Sequence, residues 1–384
     1  MINSKYTIRE RNEAVILQTI IEHQPISRAE LATVTRLNKA SVSSITKKLI
    51  EEELIIETGI GDSSNVGGRK PIMLMFNPKA ALVIGIDVGT NYLNGKLTYL
   101  DAETITSFEE KNIKINQQTI KTELANCIEQ LLLNVPTTYH GIVGLTAAIH
   151  GVVLNEEIIY TPNYDLDQGS MANILEELVD CPVFIENEAN LAALGEYAFT
   201  SDSRNLICIS IHDGIGAGIV ENGVLQTGPH GRAGEIGHSV LFPDGKPCPC
   251  GNKGCLEQYA SHVTLYEEIK QATANATMNS DLVTQLYQEH HPDVIVALKN
   301  NSHYLSIGVN NLISVYDPEV IVINSSVYQK NPAMLEWLIN DLNTLQRSEL
   351  EIINSPLQNN ATLQGATIKA VQQFLNISHL KFIK

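Results

Sequence analysis

The sequence predicts an α/β protein in which a small helical module precedes a larger body. Three features lead to this prediction. Basic residues collect near the start of a chain with a formal net charge of -17, two long apolar runs end in glycine-containing turns, and one histidine and three cysteines share a short segment. A charge asymmetry of this kind marks a separate module. We therefore expect one domain over 1–76, followed by the larger body.

The composition is typical of a globular protein with a sizeable core. The 384 residues are 43% hydrophobic and 18% charged, which suits two or three domains. No apolar run approaches the roughly 18 residues that span a bilayer, and no secretory signal is recognisable. We therefore expect a cytoplasmic protein without a membrane partner. The acidic balance argues against nonspecific nucleic-acid binding by the whole surface and confines any such contact to a local basic patch.

Residues 12–50 carry the pattern of three short helices. The first has apolar residues at nearly helical spacing and ends before Pro25. Ser27, followed three residues later by Glu30, is the signature of a capping box and starts the second helix. Asn38 can cap the third helix after a short turn. The third helix is expected to turn four apolar residues inward: Val42, Ile45, Leu49 and Ile50.

Two strands, at 54–57 and 72–76, follow the helices and enclose a loop rich in glycine and basic residues. Together these elements predict a winged helix-turn-helix, whose last helix can enter the major groove of DNA. A purely structural helical unit is the alternative, because many three-helix units bind nothing. The segment 28–48 holds five basic residues and one acidic residue, which favours DNA binding. The candidate contacts are Arg28, Lys39, Ser41, Ser43, Ser44, Lys47 and Lys48, with Arg69 in the wing.

The segment 238–255 has the spacing H-x9-C-x-C-x4-C. One imidazole and three thiolates form a ligand set that Zn²⁺ accepts in a closed tetrahedral site, and the intervening glycines let a short loop fold back on itself. The four ligands would be His238, Cys248, Cys250 and Cys255. A disulfide cluster or buried thiols are the alternatives. Three cysteines leave one unpaired, however, and nothing indicates an oxidising compartment.

The same segment resembles the ROK family, which joins sugar kinases to sugar-responsive transcriptional repressors. The resemblance rests on GExGH at 234–238 and CxCGxxGCxE at 248–257, and it covers nearly all of the chain. It implies an α/β body with a two-lobed actin-like sugar-kinase fold, with a first lobe over 77–200 that includes a C-terminal helix of about 366–384, and a second lobe over 201–365. The segment 25–55 is similar to the winged helix-turn-helix that opens the repressor branch. A repressor of this kind is expected to bind a double-stranded DNA operator as a homodimer or higher homo-oligomer and to respond to a small-molecule sugar effector.

The resemblance also implies a set of sugar-binding residues. The segment 185–190 is similar to the ROK segment in which an asparagine binds the sugar and an aspartate acts as the base. Here Glu188 takes the base position, one methylene longer than aspartate. The implied sugar ligands are Asn187, Glu188, Glu235, His238 and Glu257. One ring nitrogen of His238 would bind zinc and the other would face the sugar. The alternative for Glu235 and Glu257 is a pair of ordinary surface charges.

Three departures from the kinase pattern favour a repressor over an enzyme. The turn Asp87-Val88-Gly89-Thr90 has one glycine where ROK kinases usually have two. His212 and Asp213 stand where ROK kinases have Gly-Thr, so that a carboxylate faces the expected phosphate position and repels it. The run Asn324-Ser325-Ser326 replaces a glycine pair, and its β-carbons would crowd a nucleotide.

The sequence therefore predicts a repressor of carbohydrate utilisation without enzymatic activity. The segments 87–91 and 186–190 most resemble those of xylose-responsive members of the family, which makes xylose the implied effector. The alternatives are an ATP-dependent ROK sugar kinase that carries a DNA-binding head, and a repressor controlled by a protein partner rather than by a sugar.

Overall fold

The N-terminal unit combines three helices with a small antiparallel sheet. The computed structural model describes residues 8–60, 70–162, 166, 170–273, 275, 277–342 and 350–382. The first elements are α1 (Ile8–His23), β1 (Ile26–Ser27), α2 (Arg28–Thr35), α3 (Lys39–Glu51), β2 (Ile55–Ile60) and β3 (Ile72–Phe76). Strand β3 pairs antiparallel with both β1 and β2. This order is the predicted winged helix-turn-helix. Residues 61–69 of the predicted wing lie outside the described residues.

Side-chain caps start the second and third helices at the predicted positions. Ser27 Oγ accepts a hydrogen bond from the Glu30 backbone N–H, and the Glu30 carboxylate accepts one of 2.9 Å from the Ser27 N–H. Asn38 Oδ1 accepts a hydrogen bond of 2.8 Å from the Ser41 N–H at the start of α3. Each cap satisfies N–H groups that the first turn of a helix leaves without a partner. The local sequence therefore decides where both helices begin.

The first lobe is built on a five-stranded mixed sheet. Its elements are β4 (Leu82–Val88), β5 (Tyr92–Tyr99), β6 (Thr104–Lys111), α4 (Ile120–Leu131), β7 (Ile142–Ile149), β8 (Val152–Leu154), β9 (Glu157–Tyr160), α5 (Ser170–Leu178) and β10 (Val183–Asn187). The strand order is β10-β7-β4-β5-β6. Strand β4 is the predicted apolar run, and all of its residues are buried. It forms an antiparallel hairpin with β5 and pairs parallel with β7.

The second lobe repeats this plan with the strand order β13-β12-β11-β14-β15. Its elements are α6 (Glu188–Phe199), β11 (Leu206–Ile211), β12 (Ile215–Glu221), β13 (Val224–Leu225), α7 (Glu257–Ala260), α8 (His262–Thr273), α9 (Ser280–Gln288), α10 (Pro292–Tyr316), β14 (Val320–Asn324), α11 (Ser326–Lys330), α12 (Ala333–Asp341) and β15 (Glu351–Asn354). The last helix, α13 (Ala361–Leu375), follows β15 in the chain but packs on the first sheet. Strands β11 and β12 form the second predicted hairpin, and β11 pairs parallel with β14.

Helices α6 and α13 pack against each other between the two sheets. Helix α6 covers β11 and β12, so it lies on the second sheet although it falls within 77–200, whereas α13 covers β4 and β7. Glycines permit the close crossing: a Cβ at Gly365 would lie 1.7 Å from the Leu191 carbonyl oxygen, and one at Gly195 would lie 2.3 Å from the Ala361 carbonyl oxygen. Helix α13 starts at Ala361 rather than near 366, because its first turn has a single large apolar residue, Leu363, and therefore shows no apolar repeat in the sequence.

The N-terminal unit packs on the ends of these two helices. Phe382, beyond α13, stacks on Phe199 at the end of α6 with ring centroids 5.5 Å apart, and it lies 6.1 Å from the ring of Phe76 in β3. Ala198 and Leu375 belong to the same buried cluster as the apolar residues of α1 and α3. The two central helices therefore extend from the cleft between the lobes to the helix-turn-helix unit. None of the helices in the described ranges is long and apolar enough to cross a membrane.

Candidate functional site

Four side chains with metal-ligating atoms meet in the loop after β13. The ligand atoms of His238, Cys248, Cys250 and Cys255 all lie within 4.8 Å of one another. His238 Nδ1 is 3.6 Å from Cys248 Sγ, and the sulfurs of Cys250 and Cys255 are 3.7 Å apart. All three cysteines are free thiols rather than disulfide partners. The group could hold one metal ion, and its donor set suits zinc.

Two glycines and two short bridges bring these ligands together. Gly251 and Gly254 have φ of 92° and 73°, a region that favours glycine. A Cβ at Gly254 would lie 1.6 Å from the Phe242 carbonyl oxygen. Isolated β-bridges join Val240 to Cys255 and Pro247 to Lys253, so the chain folds back on itself. The glycine spacing noted in the sequence is thus a geometric requirement of the loop.

Three of the predicted sugar ligands lie next to this metal-binding group. His238 Nε2 is 3.9 Å from a carboxylate oxygen of Glu235, and His238 Nδ1 is 3.5 Å from one of Glu257. The Cys248 thiol donates a hydrogen bond of 3.1 Å to Glu257. Burial and the nearby charge of Glu257 raise the pKa of Glu235, although the charge of His238 opposes this. These distances show that Nδ1 of His238 faces the cysteines and that Nε2 is directed toward Glu235.

Asn187 and Glu188, the other two predicted ligands, lie at the start of α6. Asn187 Oδ1 caps the helix by accepting from the Asn190 N–H, and Asn187 Nδ2 donates a hydrogen bond of 2.8 Å to the Gly151 carbonyl. Glu188 is buried and accepts hydrogen bonds from Ser210 Oγ at 2.9 Å and Thr362 Oγ1 at 2.8 Å. Its buried carboxylate thus links β11 of the second lobe to α13, which packs on the first sheet, through these two hydrogen bonds. None of their described hydrogen bonds reaches Glu235 or Glu257.

A buried network of charged residues surrounds Glu188. His150 Nε2 lies 3.3 Å from Asp87 Oδ1 and 2.9 Å from the Tyr92 hydroxyl. Burial alone would lower the pKa of His150, but the hydrogen bond and charge of Asp87, with the charge of Glu188, raise it to about 9. Burial would raise the pKa of Glu188, but His212, 3.5 Å away, and His150 lower it to about 2. The lobes therefore meet through paired charges.

Sequence reasoning named Asp87 but gave no role to Tyr92 or His150. The available signal was weak: His150 precedes a glycine at the end of an apolar strand, and only the fold shows that this strand ends beside β4.

The positions expected to oppose a nucleotide are occupied by interactions within the protein. Thr90 Oγ1 donates a hydrogen bond of 3.0 Å to Asp213 Oδ2, joining the turns of the two hairpins. Asn324 Nδ2 lies 3.3 Å from Ser210 Oγ. Ser325 Oγ caps α11 and lies 2.8 Å from His262 Nε2. These side chains fill part of the space that glycines leave open in a nucleotide-binding hairpin.

The side chains predicted to contact DNA differ in their exposure and in their ion pairs within the protein. Lys39, Ser43, Ser44 and Lys47 are exposed on α3, and the Lys47 side chain is 78% exposed. Lys48 instead pairs with Glu13 at 2.6 Å and with Glu52 at 3.6 Å.

The remaining three predicted contacts have other surroundings. Arg28 bonds to Thr46 and to Glu57. Ser41 is half-buried beside its cap, and Arg69 lies outside the described residues. The exposed face of α3 is therefore centred on Ser43, Ser44 and Lys47.

Comparison with known proteins agrees with this architecture. The ROK family model matches residues 83–373. The chain belongs to the ROK family. A MarR family model matches residues 10–58, which include α2, α3 and all but the first two residues of α1. The resemblance inferred from the motifs at 234–238 and 248–257 is thus confirmed, and the ROK fold occupies the two lobes.

The relatives of this ROK protein include regulators that align over nearly their full length. The Xylose repressor of Bacillus spizizenii is 34% identical over 378 residues, covering 96% of this chain and 97% of that protein. A solved ROK family transcriptional regulator, described as a homolog of the E. coli MLC protein, has a TM-score of 0.80 at 26% identity and covers 96% of both chains. A ROK family glucokinase from Streptomyces griseus is 24% identical with a TM-score of 0.67, covering 76% of this chain and 99% of that one. This last likeness shows the fold alone.

Proposed function

We propose that this ROK protein is a sugar-responsive transcriptional repressor that binds its operator as a homodimer and is released by xylose. The observation that carries the proposal is the combination of an exposed recognition helix with a body that keeps the sugar-side carboxylates and has polar side chains where the kinase pattern has glycines. Ser43 and Ser44 of α3 are exposed, and Lys47 is 78% exposed with one ion pair of 3.7 Å to Glu51. Asp213 is bonded to Thr90, and Ser325 is bonded to His262. The xylose repressor of Bacillus spizizenii, similar over nearly the whole chain, supports the choice of effector.

The proposed effector site is lined by Asn187, Glu235, His238 and Glu257. Carboxylates and amides accept and donate hydrogen bonds to vicinal hydroxyls, which an apolar pocket cannot select. Glu188, buried behind the hairpins, would position this site rather than contact the sugar. The half-buried side chains of Glu235 and Glu257 and the raised pKa of Glu235 distinguish them from freely solvated surface charges.

We also propose that zinc occupies the His238 and cysteine group. Three sulfur atoms and one imidazole nitrogen make a closed donor set with no position left for a reacting water. Zinc would fix the loop that carries His238 and would keep Nε2 of the ring directed toward Glu235. Its part in the function is therefore structural.

Helix α6 provides a physical route from the effector site to the DNA-binding unit. Asn187 and Glu188 lie at its first turn, and Phe199 at its other end stacks on Phe382 beside the N-terminal unit. Twelve residues of α-helix span about 18 Å. A sugar that draws the lobes together would move α6 as a rigid body and change the spacing of two recognition helices in a dimer. The effector acts only through its different affinities for the two arrangements, typically about 1 to 3 kcal/mol of coupling.

Operator binding with and without xylose tests this proposal. Fluorescence anisotropy of labelled operator DNA should show that xylose lowers wild-type affinity by about 5- to 150-fold. Glu257→Gln should bind operator normally but lose the response. Because Glu257 contacts Cys248, metal content is measured in parallel, and Glu235→Gln serves as a second variant. Glu267→Gln, an exposed change on α8, is the matched control.

Two outcomes would contradict the proposal in different ways. A wild type indifferent to xylose rejects that effector. A normal response in both Glu257→Gln and Glu235→Gln rejects the site.

A further inference from the structure

We propose that a second ligand site lies between the two hairpins and takes a small neutral polyhydroxylated molecule of monosaccharide class. The site is a cleft of about 330 Å³, which falls within the range of small-molecule pockets. Asp87, Tyr92 and Asn94 line it from the first lobe, His212 and Asn324 line it from the second, and Thr362 lines it from the start of α13. This inference goes beyond the proposed effector response and does not depend on which sugar the effector is.

The lining is made of amide, hydroxyl and charged groups. Six of its thirteen residues are asparagine or glutamine, and none has an aliphatic side chain. Each side-chain amide offers two donors and one acceptor oxygen, the complement of a ring of vicinal hydroxyls. The ring of Tyr92 supplies one apolar face, because its hydroxyl is already bonded to Asp87 and His150. The lining therefore suits a polyol, and it offers little apolar surface against which an apolar ligand could pack.

One buried acceptor in this wall has no partner within the described part of the chain. Asn94 Oδ1 is inaccessible to solvent and accepts no hydrogen bond there. A buried acceptor left unsatisfied costs about 1 to 3 kcal/mol. Rotation of the Asn94 amide toward the cleft would expose this oxygen to a ligand hydroxyl, and the hydrogen bond would then remove that penalty. The residue sits on β5 opposite Asp87 on β4 and Glu109 on β6, at the edge of the cleft.

The charges of the cleft disfavour a nucleotide or another polyanion. Lys111 is paired with Glu109 at 2.6 Å, and His212 lies 3.5 Å from the buried carboxylate of Glu188. Asp87 adds a further negative charge to the wall, and Asp213 adds one in the adjoining turn. A phosphate would meet carboxylates without a free cation among these residues to balance it. A neutral ligand avoids this repulsion.

The loop 212–214 separates the cleft from the proposed effector site. His212 lines the cleft, whereas a Cβ at Gly214 would lie 3.2 Å from Glu257 Oε2 on the other side. Glu235, His238 and Glu257 do not line the cleft. A ligand here would contact the same loop as the effector but through different side chains, so the two sites can be removed independently.

Equilibrium dialysis of the zinc-loaded full chain with radiolabelled D-xylose and D-glucose tests the second site. We expect saturable binding of at least one of these sugars that persists in Glu257→Gln, in which the proposed effector site is removed, and that weakens at least tenfold when Asn94→Leu is added to Glu257→Gln. Asn359→Leu, an exposed position on the opposite wall, should weaken it too and serves if Asn94→Leu fails to fold. Gln130→Leu, an exposed amide on α4, is the matched control and should bind as the wild type does.

Three results would overturn the second site. They are no saturable binding of either sugar, binding that Glu257→Gln abolishes but both asparagine variants leave unchanged, and binding of ADP that is tighter than that of either sugar and sensitive to Asn94→Leu. Failure of the proposed function looks different: operator affinity would be indifferent to xylose while the asparagine-dependent binding remained.

Discussion

Thr90 Oγ1 donates a hydrogen bond of 3.0 Å to Asp213 Oδ2, so the turns of the two hairpins are joined directly. In a ROK kinase both turns approach nucleotide phosphates. Here the only carboxylate in the second turn is bonded across the gap to the first. The contact places the Asp213 carboxylate between the two turns, where it would repel a phosphate group.

The first prediction is that the protein does not phosphorylate sugars. Coupled measurement of ADP release with xylose or glucose should show no turnover above background. Glu188→Asp should not restore it, because Ser210 and Thr362 hold this carboxylate inside the protein and Asp213 still opposes the phosphates. Turnover by the wild type in the ordinary range of roughly 1 to 1000 per second would refute this prediction.

The second prediction concerns metal. The purified protein should contain about one zinc per chain, and Cys250→Ser should lose most of it, because removal of one thiolate opens the closed site. Elemental analysis by mass spectrometry measures the metal. Cys181→Ser, a cysteine outside the metal-binding group, is the control. Undiminished zinc in Cys250→Ser would remove this residue from the ligand set.

The third prediction is that Lys47 contacts phosphate and Ser43 or Ser44 contacts bases. Lys47→Ala should weaken binding to all DNA sequences and reduce the salt slope by about one for each recognition helix bound. Ser43→Ala should instead change sequence preference. Anisotropy titrations over a range of salt concentrations separate the two effects. Lys270→Ala on α8 is the control, and an unchanged slope in Lys47→Ala would place the DNA contact elsewhere.

The fourth prediction follows from the raised pKa of His150. Because its pKa rises from 6.5 to about 9 on folding, its stabilising contribution is fully present below pH 6.5 and is lost as pH rises through 9. The contribution is ~3 kcal/mol. The charged or titratable groups that face His150 are Asp87, Tyr92, Glu188, His212 and Asp213.

Urea unfolding between pH 6 and pH 9.5 measures this effect. The free energy of unfolding should fall across that window in the wild type and should fall less in His150→Gln. His230→Gln, an exposed substitution, should keep the wild-type slope. Equal slopes in the wild type and His150→Gln would show that His150 is not held in its charged form.

His262 and Glu188 should act at the acidic end of the range. Burial and the charge of His212 lower the pKa of His262 to about 3, so His262 is neutral in the folded protein and its contribution is lost as pH falls below 6.5. The contribution of Glu188 is present above 4.5 and is lost as pH falls through about 2. Stability should therefore be greatest near pH 6.5.

The fifth prediction tests the crossing of α6 and α13. Gly365→Ala should destabilise the protein by about 3 kcal/mol, because the new Cβ would lie 1.7 Å from a backbone oxygen that cannot move freely. Gly308→Ala is the matched control, since its Cβ would meet only the end of the Leu256 side chain at 2.5 Å. Thermal and urea unfolding measure both. Equal losses in the two variants would contradict the proposed tight crossing.

Much of the local structure could be predicted from the sequence because local chemistry determines it. Ser27, Glu30 and Asn38 mark helix starts whatever surrounds them, and the turn after β4 follows from an apolar run that ends at a glycine. The grouping of His238, Cys248, Cys250 and Cys255 was also predictable, because their spacing and their glycines lie within one short loop.

Only the tertiary structure decided how distant segments combine. Helix α6 lies within 77–200, the range expected for the first lobe, yet it packs on the second sheet. Gly216 and Gly218 of β12 leave room there for the alanines of α6. The contact between His150 and Asp87 could not be predicted from the local sequence, because it depends on the pairing of β7 with β4. Lys48 is predicted to contact DNA from its place on α3, and only the packing of α1 shows that Glu13 lies against it. Caps and turns depend on neighbours along the chain, whereas charge pairing, burial and clefts depend on neighbours in space.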